Sequence, residues 1–144
     1  MFKPAHVLGL VLLGAIAGCG GSSSAGADTA PWVGNWNSSG TQSTTCAGGN
    51  ATTQITGLDV ISAGTKASTI VTTADNCALT WDLAGTKATL ESGQTCTVSV
   101  AGANVTVTWT QSSATLSGST ITGTNTGSTN NGCSFMQQYM LTKM

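Results

Sequence analysis

The sequence predicts an all-β fold, an antiparallel meander closing into a small up-and-down barrel of about eight to ten strands. Three observations carry that reading. Apolar residues alternate with small polar ones at period two, and no helical periodicity follows the first 18 residues. Glycine-containing turns separate the runs of β-branched residues, as hairpins require. Charged residues make up only 6% of the chain, while Thr, Val and Ile are plentiful, which separates it from the highly charged composition of disordered segments.

The elements follow in order. Lys3 supplies a positive start and Val7 to Ile16 a short apolar run, too short to span a bilayer, so residues 1–18 read as a helical export signal. Gly20 to Pro31 has no large apolar side chain and reads, with Cys19, as a flexible tether over 19–31. The folded domain is expected over 32–144, starting where Trp32 and Trp36 flank Gly34. Strands are expected at 32–38, 53–61, 67–73, 77–83, 87–91, 95–100, 104–110, 114–117, 119–125 and 133–142. Longer connections are expected near 39–52 and at Asn125–Gly132. Leu79, Trp81 and Leu83 share one parity and face Ala88 and Leu90 across a turn; Val98 and Val100 oppose Val107 and Val105; Leu116 and Ile121 flank the last turn. The other parity carries threonines, so apolar residues point inward and hydroxyls outward. Ala63-Gly64-Thr65-Lys66-Ala67 recurs as Ala84-Gly85-Thr86-Lys87-Ala88, which reads as one hairpin solution used twice or as an internal duplication.

The small residues ahead of a cysteine, Ile16-Ala17-Gly18-Cys19, resemble the lipobox of bacterial lipoproteins. That resemblance implies cleavage after Gly18, diacylglycerol on the Cys19 sulfur and a fatty acyl chain such as palmitate on the new amino terminus. More than one chain gives stable anchoring without a transmembrane helix. Gly20, rather than Asp, after the cysteine implies the outer membrane. With the Gly/Ser tether, Trp32-Val33-Gly34-Asn35-Trp36 and Gly93-Gln94-Thr95-Cys96, the chain is similar to small Gly/Thr/Cys-rich lipoproteins of myxobacteria, a resemblance that implies no particular activity. Gly34-Asn35-Trp36 also looks like the opening strand of avidin-like and lipocalin-like barrels, in which an early Gly-x-Trp packs beneath the barrel.

Once Cys19 is set aside, Cys46, Cys77, Cys96 and Cys133 remain. An even count in an exported domain predicts two disulfides. Four cysteines allow three pairings. In a closing meander the first strand lies beside the last, which favours Cys46–Cys133, and a short intervening strand lets Cys77 reach Cys96.

Composition excludes several functions. Downstream of the signal, three lysines stand against five carboxylates, a formal net charge of −2, and there is no arginine. Such a chain cannot neutralise a row of phosphates, so nucleic acid is not an expected partner. The only histidine, His6, lies in the signal, which leaves no Ser-His-Asp triad and no His-ligated metal. No cofactor or metal is expected. Asp82 and Glu91 are the best carboxylate pair for glycosidase-type chemistry, but solvated carboxylates on a hydroxylated face are the favoured reading, since no apolar pocket there would raise one pKa above the other. The expectation is therefore a non-enzymatic, lipid-anchored envelope domain, with the membrane as partner through the lipid and an envelope or surface protein as a further one. A small-molecule carrier is the alternative, and the inward Leu79, Trp81, Val98, Val107 and Trp109 are bulky enough to fill a narrow barrel.

Overall fold

A computed structural model describes residues 27–74, 77–100 and 102–144. The expected signal helix, the cleavage site, Cys19 and most of the tether lie outside the described residues. Nine strands occur among the described residues: β1 (Gly34–Cys46), β2 (Gly49–Ala63), β3 (Thr69–Ala74), β4 (Cys77–Ala84), β5 (Lys87–Leu90), β6 (Thr95–Val100), β7 (Ala103–Ser117), β8 (Thr120–Thr129) and β9 (Ser134–Lys143). Every neighbouring pair is antiparallel, in the order β5-β4-β3-β2-β1-β9-β8-β7-β6. β5 also pairs with β7, which closes the sheet on itself. β5 meets β7 at Ser113–Thr115 and β6 meets it at Ala103–Thr108, so β5 and β6 follow one another along a single edge. The fold is thus a closed eight-staved antiparallel barrel.

The first expected connection, 39–52, is instead one hairpin turning at Ala47–Gly48, with β1 and β2 paired from Gly34↔Ile61 to Cys46↔Gly49. The apolar rhythm vanishes there because the inward residues are Ser38, Gly40, Gln42 and Thr44, yet the ladder continues. For the same reason β8 runs on to Thr129 rather than ending at Asn125. The expected strands 104–110 and 114–117 are one strand, β7. A bulge between Trp109 and Gln111 shifts its register, so the inward parity passes from Val105, Val107 and Trp109 to Ser112, Ala114 and Leu116. Trp81↔Leu90, Leu83↔Ala88 and Leu116↔Ile121 pair as expected. The β6–β7 register is two residues tighter, with Val98 opposite Val105 and Cys96 opposite Val107. The repeated pentapeptide adopts two conformations. Gly85 begins a two-residue turn, whereas Gly64 opens a loop to Ser68 that closes through Gly64 N–H donating to Thr69 O at 2.8 Å.

One end of the barrel is packed solid. Trp32, Trp36, Ile61, Ile70 and Ile121 are each no more than 2% exposed, and burying each such side chain is worth about 1.5–3 kcal/mol. Trp32 precedes β1 and receives a hydrogen bond from Trp36 Nε1 at its carbonyl, 2.9 Å away. Lys143 covers this end, its Nζ 5.3 Å from the Trp36 ring centroid and donating to Pro31 O at 3.0 Å.

The opposite half is less completely walled. β3 pairs with β2 only at Val60–Ala63, so Gly49–Asp59 has β1 on one side and, among the described residues, no strand on the other. Between β4 and β6 the Gln94 side chain acts as a ladder rung: its Oε1 accepts from Thr80 N–H and its Nε2 donates to Thr80 O, both at 2.7 Å.

Candidate functional site

Inside this second half lies a cavity of about 660 Å³, within the range of small-molecule sites. Leu79, Trp81, Val98, Val107 and Trp109, expected to fill the interior, line the cavity instead. They are inward and mostly buried, but the barrel is wider than they can span. The cavity reaches the gap between the unpaired edge of β2, at Ile55–Leu58, and Cys77 and Val98 on the far side.

Its polar wall follows from register. Asn125, Gln137 and Gln42 stand opposite one another on β8, β9 and β1, all at inward parity. Asn125 Nδ2 donates to Gln137 Oε1 at 3.0 Å, Gln137 Nε2 to Gln42 Oε1 at 2.7 Å, and Gln42 Nε2 to Thr44 Oγ1 at 3.0 Å. The chain of amides has one acceptor left over. Asn125 Oδ1 is buried with no partner, as are Ser112 Oγ, directly opposite Asn125, and Trp109 Nε1. Unpaired buried polar atoms are uncommon and costly, and three of them gather where the β7 bulge turns both Trp109 and Ser112 inward.

The aromatic wall depends on glycine. Gly123 stands opposite Tyr139 and Gly127 opposite Phe135. A methyl group on either glycine would overlap the facing ring, so each ring lies across a residue with no side chain. Trp109 meets Phe135 edge to face, with centroids 5.8 Å apart. Among the described residues, Asp59, half-buried on β2, is the one carboxylate in the lining. Burial first, and the Asp59 charge second, hold the Tyr139 hydroxyl well above the usual phenol range.

No protein-family model, curated protein or solved structure matches this chain. Its site must be read from its own residues.

The expected cysteine pairs both form: Cys46–Cys133 joins β1 to the start of β9, and Cys77–Cys96 joins β4 to β6. The second bond lies across the stretch that Gln94 bridges. Asp82 is exposed on the outer face of β4, and Glu91 forms a surface ion pair with Lys66 at 3.4 Å. Neither lines the cavity. Among the described residues no three His, Cys, Asp or Glu side chains converge. Sequence reasoning overlooked Gln42, Asp59, Asn125, Gln137 and Tyr139 as a group. Parity carried the signal: counting by twos from Trp36 reaches Gln42, and from Leu141 reaches Tyr139 and Gln137. Polar residues in a core register mark a wetted interior.

Proposed function

We propose that this chain is a small-molecule-binding barrel, a carrier or receptor without catalytic activity, held in the cell envelope by lipid on Cys19. The cavity carries the reading. It combines apolar walls with a few oriented polar groups, the usual build of a ligand site. Two disulfides in a domain of this size suit an oxidising compartment, and the lipobox-like Ile16-Ala17-Gly18-Cys19 accounts for anchoring. Calorimetric titration of the disulfide-intact domain with a neutral bicyclic probe, 1-naphthalenemethanol, tests the binding reading. Saturable binding is expected, and its loss is expected in Val98→Trp, which puts an indole into the cavity. No binding, or equal binding by a folded Val98→Trp protein, overturns it. Anchoring has its own test: Cys19→Ala should abolish labelling by a fatty-acid analogue and release the protein from membranes.

A second reading, an envelope protein-interaction module, is favoured by the Gly49–Leu58 edge, beside which no strand but β1 lies among the described residues, and by exposed Leu58 and Val60. A free strand edge accepts an added strand. Pull-down from cross-linked envelopes, repeated with Thr56→Pro to block the edge, separates it from the carrier.

A further inference from the structure

Among the described residues, the buried side-chain polar atoms left without a partner are Trp109 Nε1, Ser112 Oγ and Asn125 Oδ1, and they are not scattered. On the β7–β8 ladder Trp109 stands opposite Gly127 and Ser112 opposite Asn125, one pair on each side of the β7 bulge. Trp109 and Asn125 line the cavity. Trp109 is 8% exposed and Ser112 2%, so neither depends on bulk solvent. Gly127 has no side chain to offer the indole N–H, and the Asn125 amide spends its nitrogen on Gln137 Oε1 at 3.0 Å. Buried polar groups in this state weaken the free protein, and most such groups in folded chains are paired. Here they collect on two successive inward rungs of one ladder, beside a cavity.

We propose that this corner of the cavity recognises a neutral primary carboxamide carried on an apolar body. The inference rests on the carrier reading and narrows it. The polarity of the three atoms decides the class. An indole N–H can only donate, so the ligand must bring an acceptor. Asn125 Oδ1 can only accept, so the ligand must also bring a donor, and the Ser112 hydroxyl can take a second one. A primary carboxamide holds one carbonyl and two N–H groups without net charge, which matches the three atoms in number and in polarity. A carboxylate only accepts and would leave Asn125 Oδ1 facing another acceptor. An ammonium only donates and would leave the indole unmet. The apolar body has Leu79, Val98, Val107 and Phe135 to lie against.

Two probes of one shape test this: 1-naphthaleneacetamide and 1-naphthylacetone, in which a methyl group replaces the amide nitrogen. Both are titrated calorimetrically into the disulfide-intact domain. An amide loses more hydration than a ketone on entering an apolar site, so a cavity without this corner ranks the ketone first. The amide is expected to bind at least about tenfold more tightly, because a site with unpaired polar groups discriminates against an analogue that cannot meet them. Ser112→Ala should lower that ratio severalfold and leave the urea midpoint of the free domain unchanged or raised, since a hydroxyl without a partner adds no hydrogen bond to the fold. A ketone that equals or outbinds the amide overturns the carboxamide proposal and leaves the carrier reading intact. So does a ratio that survives in folded Ser112→Ala, the result expected where water alone meets these atoms, and so does a fall in the midpoint, which would show the hydroxyl to be paired in the free protein. Failure of both probes and of 1-naphthalenemethanol to bind overturns the carrier reading itself. The wild-type comparison decides the ligand class even where the variant fails to fold.

Discussion

At the packed end the inward positions of β1, β2, β3, β8 and β9 are Trp36, Ile61, Ile70, Ile121 and Leu141, all buried. Farther along the same strands the inward positions are Gln42, Ile55, Ala74, Asn125 and Gln137, all half-exposed and all lining the cavity. Backbone pairing is continuous between the two regions on β1, β8 and β9. What changes is only the chemistry placed on one parity. A barrel of eight staves is wide enough that aliphatic side chains must meet across it to exclude solvent. Where they are replaced by amides, glycines and aromatic rings laid flat, the same ladder encloses space. The packed end supplies the stability that lets the other end remain hollow.

The contrast is broken most directly by truncation. Trp36→Ala removes a fully buried indole and its bond to Trp32, and should cost about 3–5 kcal/mol. Val105→Ala, a half-buried wall residue, should cost less than about 1 kcal/mol, because the site is already hollow. Urea unfolding midpoints compare the two, and similar losses would mean that the two halves are packed alike.

Removing the Cys77–Cys96 bond sharpens the comparison from the other side. The cysteines are 19 residues apart, so constraint of the unfolded chain is worth about 3 kcal/mol. In the Cys77→Ser/Cys96→Ser double variant the loss should be accompanied by faster amide exchange in β6 and in Thr80, whose partner is the Gln94 side chain. The ladders around Trp36 and Leu141 should keep their protection. Uniform loss of protection would show that the seam is not a local feature of the hollow half. Next in size is Gly123→Ala, which forces a methyl into the Tyr139 ring and toward Ser113 O. Overpacking of this kind costs about 1–3 kcal/mol. It should also alter probe binding, since the ring forms part of the cavity wall.

Most of the barrel was legible in the sequence because its packed half obeys alternation. The register Leu83↔Ala88 and the cysteine pairs follow from hairpins of known length and from first-to-last closure. The hollow half was not legible as structure. Between Ser38 and Asn50, and again from Asn125 to Thr129, both faces of the strand are polar, so period two carries no hydropathy signal and the strands read as connections. The candidate site was hidden for the same reason. Gln42 and Gln137 are 95 residues apart in the chain, and only the β1–β9 register brings them together. Asp82 and Glu91 drew attention as carboxylates near in sequence, but Asp59, inward beside the cavity, is the carboxylate with a site around it.

The smallest effect is silent at neutral pH and is the most specific probe of the hollow half. Tyr139 is the only tyrosine in the chain, so phenolate absorbance reports this residue alone. Its folded pKa is raised above the unfolded value of about 10. Its contribution to stability is therefore complete below about pH 10 and is lost as pH rises from there toward the folded value. The folded protein should show no phenolate at the pH where a free tyrosine is half ionised. Absorbance should appear only as the chain unfolds, and Tyr139→Phe should flatten that part of the fall in urea midpoint. Asp59→Asn divides the cause. Burial is the larger influence and the carboxylate the smaller, so the onset should move part of the way down and stop above the free value. A return to about pH 10 would make Asp59 the dominant influence. An onset near pH 10 in the folded wild-type chain would place the hydroxyl in solvent and turn the aromatic wall inside out.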